Sequence, residues 1–228
     1  MRILAVDTSA VCAAVAVTDD EKILSESQTN TGLTHSRTLM PMIDSVLKNA
    51  EIPLDSVDVF ACSVGPGSFT GIRIGVAAMK GLCDGLKKKC MPVSTLEALA
   101  YNLMGNNCTA VSVMDARCNQ VYCGIFKVEG ENVTRLTDDE AIKIDDLKEK
   151  LTGYENIIFV GDGAKLCYNA LGYSIASPSQ MYQKGSSVAF CAKKNYSEDK
   201  LLDGSALLPV YLRLPQAERE LKAKSLTK

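Results

Sequence analysis

Histidine is nearly missing from this chain: His35 is the one example among 228 residues. No Cys or His stands at a zinc-type spacing from it, so a metal-centred site is a poor reading. The same scarcity weighs against nucleophilic catalysis, because no second histidine could serve a Ser or Cys as general base. None of the nine cysteines pairs with another as C-x-x-C. Their odd number and their scatter from Cys12 to Cys191 suit buried free thiols better than a disulfide framework. No apolar run approaches the ~20 residues needed to cross a membrane. The opening MRILAVDTSA lacks the basic segment, apolar core and small-residue cleavage site of an export signal, and the expected location is cytoplasmic. An excess of positive charge is lacking too. A formal net charge of −2 is not the footprint of a protein that holds RNA or DNA by itself. Lys87, Lys88 and Lys89 follow an apolar helix and suit the negative end of its dipole, and the mixed-charge tail 218–228 is expected to fray.

A hydrophobic content of 46% in a chain of this length allows one large domain or two of ordinary size. Apolar patterning predicts strands over 3–6, 11–17 and 23–27, separated by short polar turns. A helix should begin near Thr34, because Leu39, Met42, Ile43, Val46, Leu47 and Ala50 share one helical face; Pro41 should kink its first half. A buried strand over 57–64 then leads through Gly65-Pro66-Gly67 into a helix over 69–86. About halfway along, AVSVMDARCNQVYCGIFKVEGENV repeats the plan of the opening hairpin, with Asp115 in the place of Asp7. A duplicated unit would give two related lobes. Further on, the pattern predicts a short helix over 145–150, a strand over 157–160, a Gly161-Asp162-Gly163 turn opening a helix, a helix over 186–195, and a return through 207–213 to a terminal helix. Strands mixed with helices in each half indicate an α/β fold with mixed sheets flanked by helices. The expected division is a first lobe over 1–104, joined by 206–228, and a second over 105–205.

Three segments invite a chemical reading. SVGPGSFTGIRIG presents glycines before a helix, as phosphate loops do. Yet Ile72 stands where a Walker A loop has Lys, and Thr70 where a dinucleotide fingerprint has its third Gly; a tight turn capped by Ser68 or Thr70 accounts for the segment. In the helix that follows, Gly71, Gly75, Ala78, Leu82 and Gly85 line up on one stripe. Each interior Gly costs ~1 kcal/mol relative to Ala, which close approach of another backbone could offset. That backbone could belong to this chain or to a partner, and Met40, Met42 and Met79 nearby would suit an adaptable surface. Asp7, Thr8 and Ser9 resemble the first phosphate turn of the Hsp70, actin and sugar-kinase superfamily, although Ser9 and Ala10 fill the space where those proteins usually carry glycine. An Asx or Ser turn accounts for them equally well.

Taken in order, AVDTS, HSRTLMP, VGPGSFTGIRIG, VSTLEAL, DARCNQVY and PVYLR make the chain closely resemble the TsaB (YeaZ-type) family over nearly its whole length. That resemblance implies two actin-like lobes of ribonuclease-H type. It also implies a part in threonylcarbamoyladenosine biosynthesis on tRNA, with no enzymatic activity of its own, no cofactor, and a heterodimer with the catalytic homologue TsaD. A TsaE-type ATPase would complete the complex, and tRNA would be met only through it. TsaD-type proteins carry two metal-binding histidines in a segment of the form V-N-H-L-E-[GA]-H. Val93-Ser94-Thr95-Leu96-Glu97-Ala98-Leu99 matches that frame with Thr95 and Leu99 at the histidine positions, and neither side chain is a good metal ligand. The family's partner surface maps here onto the two helices, with His35, Leu39, Met42, Ile43, Val46, Gly71, Gly75, Ala78, Met79 and Leu82 as the expected interface. A homodimer through the same helices is plausible when the partner is absent. Two rival readings stay open: a glycoprotease-like peptidase, which would need His35 as base, and a small-molecule kinase, which would need Asp7 or Asp115 as its organising carboxylate.

Overall fold

The computed structural model describes residues 1–213; the expected terminal helix and fraying tail lie outside them. Strands β1 (Arg2–Asp7), β2 (Ala13–Asp19) and β3 (Lys22–Thr29) form a meander, followed by helix α1 (His35–Asn49), β4 (Val59–Gly65), α2 (Phe69–Leu86), β5 (Lys89–Ser94) and α3 (Thr95–Tyr101). The second half runs β6 (Asn107–Arg117), β7 (Gln120–Glu129), β8 (Asn132–Arg135), β9 (Glu140–Lys143), α4 (Ile144–Lys150), β10 (Ile157–Val160), α5 (Ala164–Leu171), β11 (Ser174–Ile175), α6 (Gly185–Lys194) and β12 (Leu202–Asp203). No helix among these residues is long and apolar enough to cross a membrane.

Two sheets result, ordered β12-β5-β4-β1-β2-β3 and β11-β10-β6-β7-β8, with β9 beside β7. In the first, β1 runs antiparallel to β2 and parallel to β4. In the second, β6 runs antiparallel to β7 and parallel to β10. Strand order, direction and helix placement therefore repeat between the halves, which gives the Asp7 and Asp115 hairpins equivalent positions at the ends of β1 and β6.

Burial on both faces explains why β1, β2 and β4 read as apolar runs rather than as alternating strands. Leu4, Val6, Phe60 and Cys62 pack under α1 and α2, whereas Ile3, Ala5, Val59 and Ala61 pack against Val188, Ala189 and Cys191 of α6. Full burial of a side chain such as Phe60, Leu39 or Ile72 contributes about 1.5–3 kcal/mol. The last helix of each half covers the sheet of the other: Leu96, Leu99 and Ala100 of α3 belong to the core of the second sheet, and α6 to that of the first. A division into 1–104 and 105–205 thus separates each helix from the sheet it covers. The return after β12 brings Leu207 into the core under α1 and α2.

Several boundaries depart from expectation. β2 begins at Ala13, because Val11 projects from the turn and is 59% exposed. β5 and α3 carry no clear strand or helix signal, since Pro92 interrupts the apolar run; β12 pairs only with Lys89 and Cys90, which leaves Pro92 on an open edge where a missing N–H is tolerated. Pro41 lies inside α1, whose helical assignment continues through it.

The seat of α6 depends on a close approach. A Cβ added to Gly185 would lie 2.5 Å from the Val15 carbonyl carbon and 2.9 Å from Ala16 Cβ. Gly185→Ala should therefore lower stability by about 1–3 kcal/mol through overpacking. Gly81→Ala, in an exposed turn of α2 with nothing within 4 Å of the new methyl, should raise it by about 0.5–1 kcal/mol. Urea unfolding midpoints of the two variants check both signs.

Candidate functional site

A cleft of about 560 Å³ opens between the two hairpins, lined by the turn after β1, the start of α1, the β4–α2 loop, the β6–β7 turn and Asp162. Asp7, two residues before the cleft-lining Ser9, has a buried carboxylate. Its Oδ1 accepts Ser9 N at 2.8 Å and Ser9 Oγ at 2.6 Å, and its Oδ2 accepts Ser63 Oγ at 2.6 Å. Burial pushes its pKa up, and these hydrogen bonds oppose the rise. Thr8 Oγ1 donates to Gly71 O at 2.8 Å, and Ser68 N donates to Ser9 O at 2.6 Å. The Asp7-Thr8-Ser9 turn is in this way spent on holding β1 to the start of α2.

Gly71 and Gly75 of the stripe have their explanation here, whereas Gly85 meets nothing within 4 Å. A Cβ at Gly71 would collide with the Thr8 carbonyl, and one at Gly75 would come to 2.5 Å from Thr8 Oγ1. The neighbour that these glycines admit is this chain's own first turn. Ser68 caps α2 by accepting Gly71 N at 3.2 Å, as one of the two caps considered.

The other residues of the expected interface divide by burial. Leu39, Met42, Ile43, Val46 and Met79 pack into the core of the first sheet, and Ala78 and Leu82 are half-buried beside it. His35 belongs to the cleft, its Nε2 donating to Ala10 O at 2.6 Å while its Nδ1 is buried with no partner among the described residues. On the outer side, α1 and α2 leave a groove of about 430 Å³ lined by Met40, Ile43, Leu47, Ile52, Leu54 and Leu82, rimmed by Asp44, Lys48 and Glu51. Met40 is 47% exposed there. Of the three methionines expected near this surface, Met40 alone is exposed, whereas Met42 and Met79 are buried.

Thr95 opens α3 behind its cap Ser94, whose Oγ accepts Glu97 N at 3.2 Å. Thr95 Oγ1 is buried without a partner among the described residues, and Leu99, one turn on, packs in the core of the second sheet. All nine cysteines are free, and only Cys118 is exposed.

A family model described as TsaD, tRNA N6-adenosine threonylcarbamoyltransferase, matches residues 22–216. The tRNA threonylcarbamoyladenosine biosynthesis protein TsaB of Bacillus subtilis is 30% identical over 225 residues, 96% of each chain. The chain belongs to the TsaB (YeaZ-type) family. Its namesake in Buchnera aphidicola subsp. Schizaphis graminum is 36% identical over 170 residues, covering 72% of this chain and 79% of that one. A Pseudomonas aeruginosa protein, described as uncharacterized with similarity to peptidase YEAZ, shares the fold with a TM-score of 0.80 and 22% identity, over 93% of this chain and 99% of that one.

In this TsaB-type chain Asp162 is the cleft residue that sequence patterning overlooked, hidden inside an apparent Gly-Asp-Gly turn. Its Oδ1 accepts Asp115 N at 3.2 Å, and Asp115 in turn accepts Arg117 N at 2.7 Å and Arg117 Nη1 at 3.2 Å. Burial foremost pushes the Asp162 pKa up to about 6; the neighbouring Asp115 charge adds to the rise, while the Asp115 amide and Arg117 oppose it. A carboxyl with a raised folded-state pKa contributes stability while protonated, and that contribution is lost as pH climbs from about 4 to about 6. The loss amounts to about 3 kcal/mol. Asp162→Asn keeps the acceptor for the Asp115 amide and should remove this part of the pH dependence. Urea unfolding of both proteins at pH 4 and pH 7 should give a larger fall for the parent; equal falls would contradict the assignment.

Proposed function

We propose that this chain is the non-catalytic scaffold subunit of a tRNA threonylcarbamoylation complex, binding a TsaD-type catalytic subunit with a TsaE-type ATPase. The observation that carries the reading is the fate of the histidine frame: Thr95 and Leu99 occupy its two positions, and Leu99 is committed to the core of the second sheet. A transferase model matching most of a chain whose own frame has lost its ligands fits a duplicated and specialised partner. The relatives' names supply the pathway, threonylcarbamoyladenosine biosynthesis on tRNA. A net charge of −2 fits a subunit that leaves RNA contact to its partners.

The docking surface follows from the α1–α2 groove rather than from the glycines. Met40 and Leu82 offer an apolar strip with charged residues at its edge, a composition that suits a helix or loop of a protein partner. Gly75→Leu would strike Thr8 and disturb the fold, so Gly75 cannot report on binding. Both rival readings meet committed groups. The kinase reading needs Asp7 or Asp115 to organise a metal, but both Asp7 oxygens accept serine donors and both Asp115 oxygens accept from Arg117. The peptidase reading needs His35 as a base, but with Nε2 donating to Ala10 O its basic nitrogen is Nδ1, which is buried and meets no Ser or Cys among the described residues.

Met40→Arg in the groove, and Ala78→Arg one turn of α2 before the groove residue Leu82, are expected to weaken binding of a TsaD-type subunit more than tenfold while the isolated chain still melts cooperatively. Calorimetric titration against that subunit decides the matter. Parental affinity in both variants would remove the groove as the interface.

A further inference from the structure

The segment beyond β12 has no part in the reading above, yet its contacts are specific. It runs back along α2 and then leaves the first sheet. A Cβ at Gly204 would lie 2.5 Å from Asp84 Oδ1 near the end of that helix, and Leu207 is fully buried. Val210 N donates to Val64 O at 2.8 Å, and the Val210 carbonyl lies so close over Gly65 that any side chain there would collide with it. Gly65 has φ +128°, so the site demands glycine on two grounds.

Next, the Tyr211 ring stacks on Phe69 with centroids 4.6 Å apart, and its hydroxyl accepts Arg73 Nε at 2.8 Å. The Arg73 guanidinium in turn sits 3.9 Å over the Phe69 ring. These contacts pin the segment to the first turns of α2. Arg213 then crosses to the other side of the cleft. Its Nη1 donates to the Ala116 carbonyl and, at 3.4 Å, to that of Arg117. Both carbonyls belong to the last two residues of β6, at the bend into β7, where Arg117, Cys118 and Asn119 have successive φ values of 65°, 55° and 57°. Three left-handed residues in a row, none of them glycine, form a turn that needs outside support.

We propose that residues 207–213 form a latch that fixes the width of the cleft, with Phe69, Arg73 and Tyr211 as its anchor and Arg213 as its catch on the second hairpin. The guanidinium suits this task. It carries its donors in a rigid planar fork, and charge-assisted bonds to carbonyls are stronger than neutral ones. At the opposite end the sheets are already joined, with Ser187 Oγ donating to Asn102 Oδ1 at 2.6 Å and Asn195 Nδ2 to Glu97 Oε1 at 2.7 Å. Releasing Arg213 would leave the hairpin tips free to move apart about that joint.

The protein supplies its own reporter. Cys118 is the exposed thiol of the second hairpin tip, and Val11, 59% exposed, marks the first. Spin labels on Cys118 and Val11→Cys report the distance across the cleft in the full chain. The otherwise unaltered protein should give one narrow distance distribution. Arg213→Ala should at least double its width and lengthen its mean, while Arg213→Lys, which keeps a cationic donor, should fall between. Tyr211→Ala removes the anchor without altering Arg213 and should also broaden the distribution, which keeps the test decisive if Arg213→Ala fails to fold. Distributions superposing on the parent in every folded variant would overturn the latch.

Discussion

A carboxylate sealed away from water at a strand end can persist only if its oxygens find donors, and the Asp7 carboxylate finds them in Ser9 and Ser63. That requirement curls the chain after β1 into a tight turn and places the Thr8 hydroxyl against the Gly71 carbonyl. The turn can come so near only because α2 presents Gly71 and Gly75 at that point. The position of α2 on the sheet follows, and with it the groove shared with α1 and the bed on which residues 207–213 lie. The polar groups of this turn are directed into the fold, and its geometry serves cohesion.

Duplication supplies the second constraint. Each half repeats one strand order, but α6 covers one face of the first sheet and α3 packs into the core of the second, so each half completes the other's core. A polar cluster reinforces the exchange. Arg135 joins Glu97 at 2.9 Å and Asp139 at 2.5 Å, while Asn195 of the segment after α6 reaches the same Glu97. These charges are only partly exposed and tightly satisfied, so they act to hold register between the halves more than to add net stability.

The hairpin repeat was legible because a strand ending in Asp and followed by small β-formers is a local pattern, and Asp7 and Asp115 do occupy equivalent strand ends. The limits of α2 were legible for a similar reason, since Pro66, Gly67 and Ser68 write its start in local chemistry. Contacts between distant segments were not. Periodicity in Leu39, Met42, Ile43 and Val46 reveals that one face of α1 is covered, but it is silent on what covers it, and the sheet of the same chain proves to be the cover. The glycine stripe had the same ambiguity, settled only by the position of Thr8. Tyr211 and Arg213 sit in a stretch without regular structure, where neither period nor cap signals their partners 138 and 97 residues away. Asp162 looked like turn punctuation until the fold brought it to the Asp115 amide.

The central claim is that catalysis resides in a partner and that this chain contributes structure. Reconstituted threonylcarbamoylation of an unmodified tRNA tests it most directly, with this chain, a TsaD-type subunit and a TsaE-type ATPase supplied singly and together. The account predicts no modification by this chain alone and modification by the full set that collapses when this chain is omitted. Modified tRNA formed by this chain without the TsaD-type subunit, or a full yield in its absence, would contradict it.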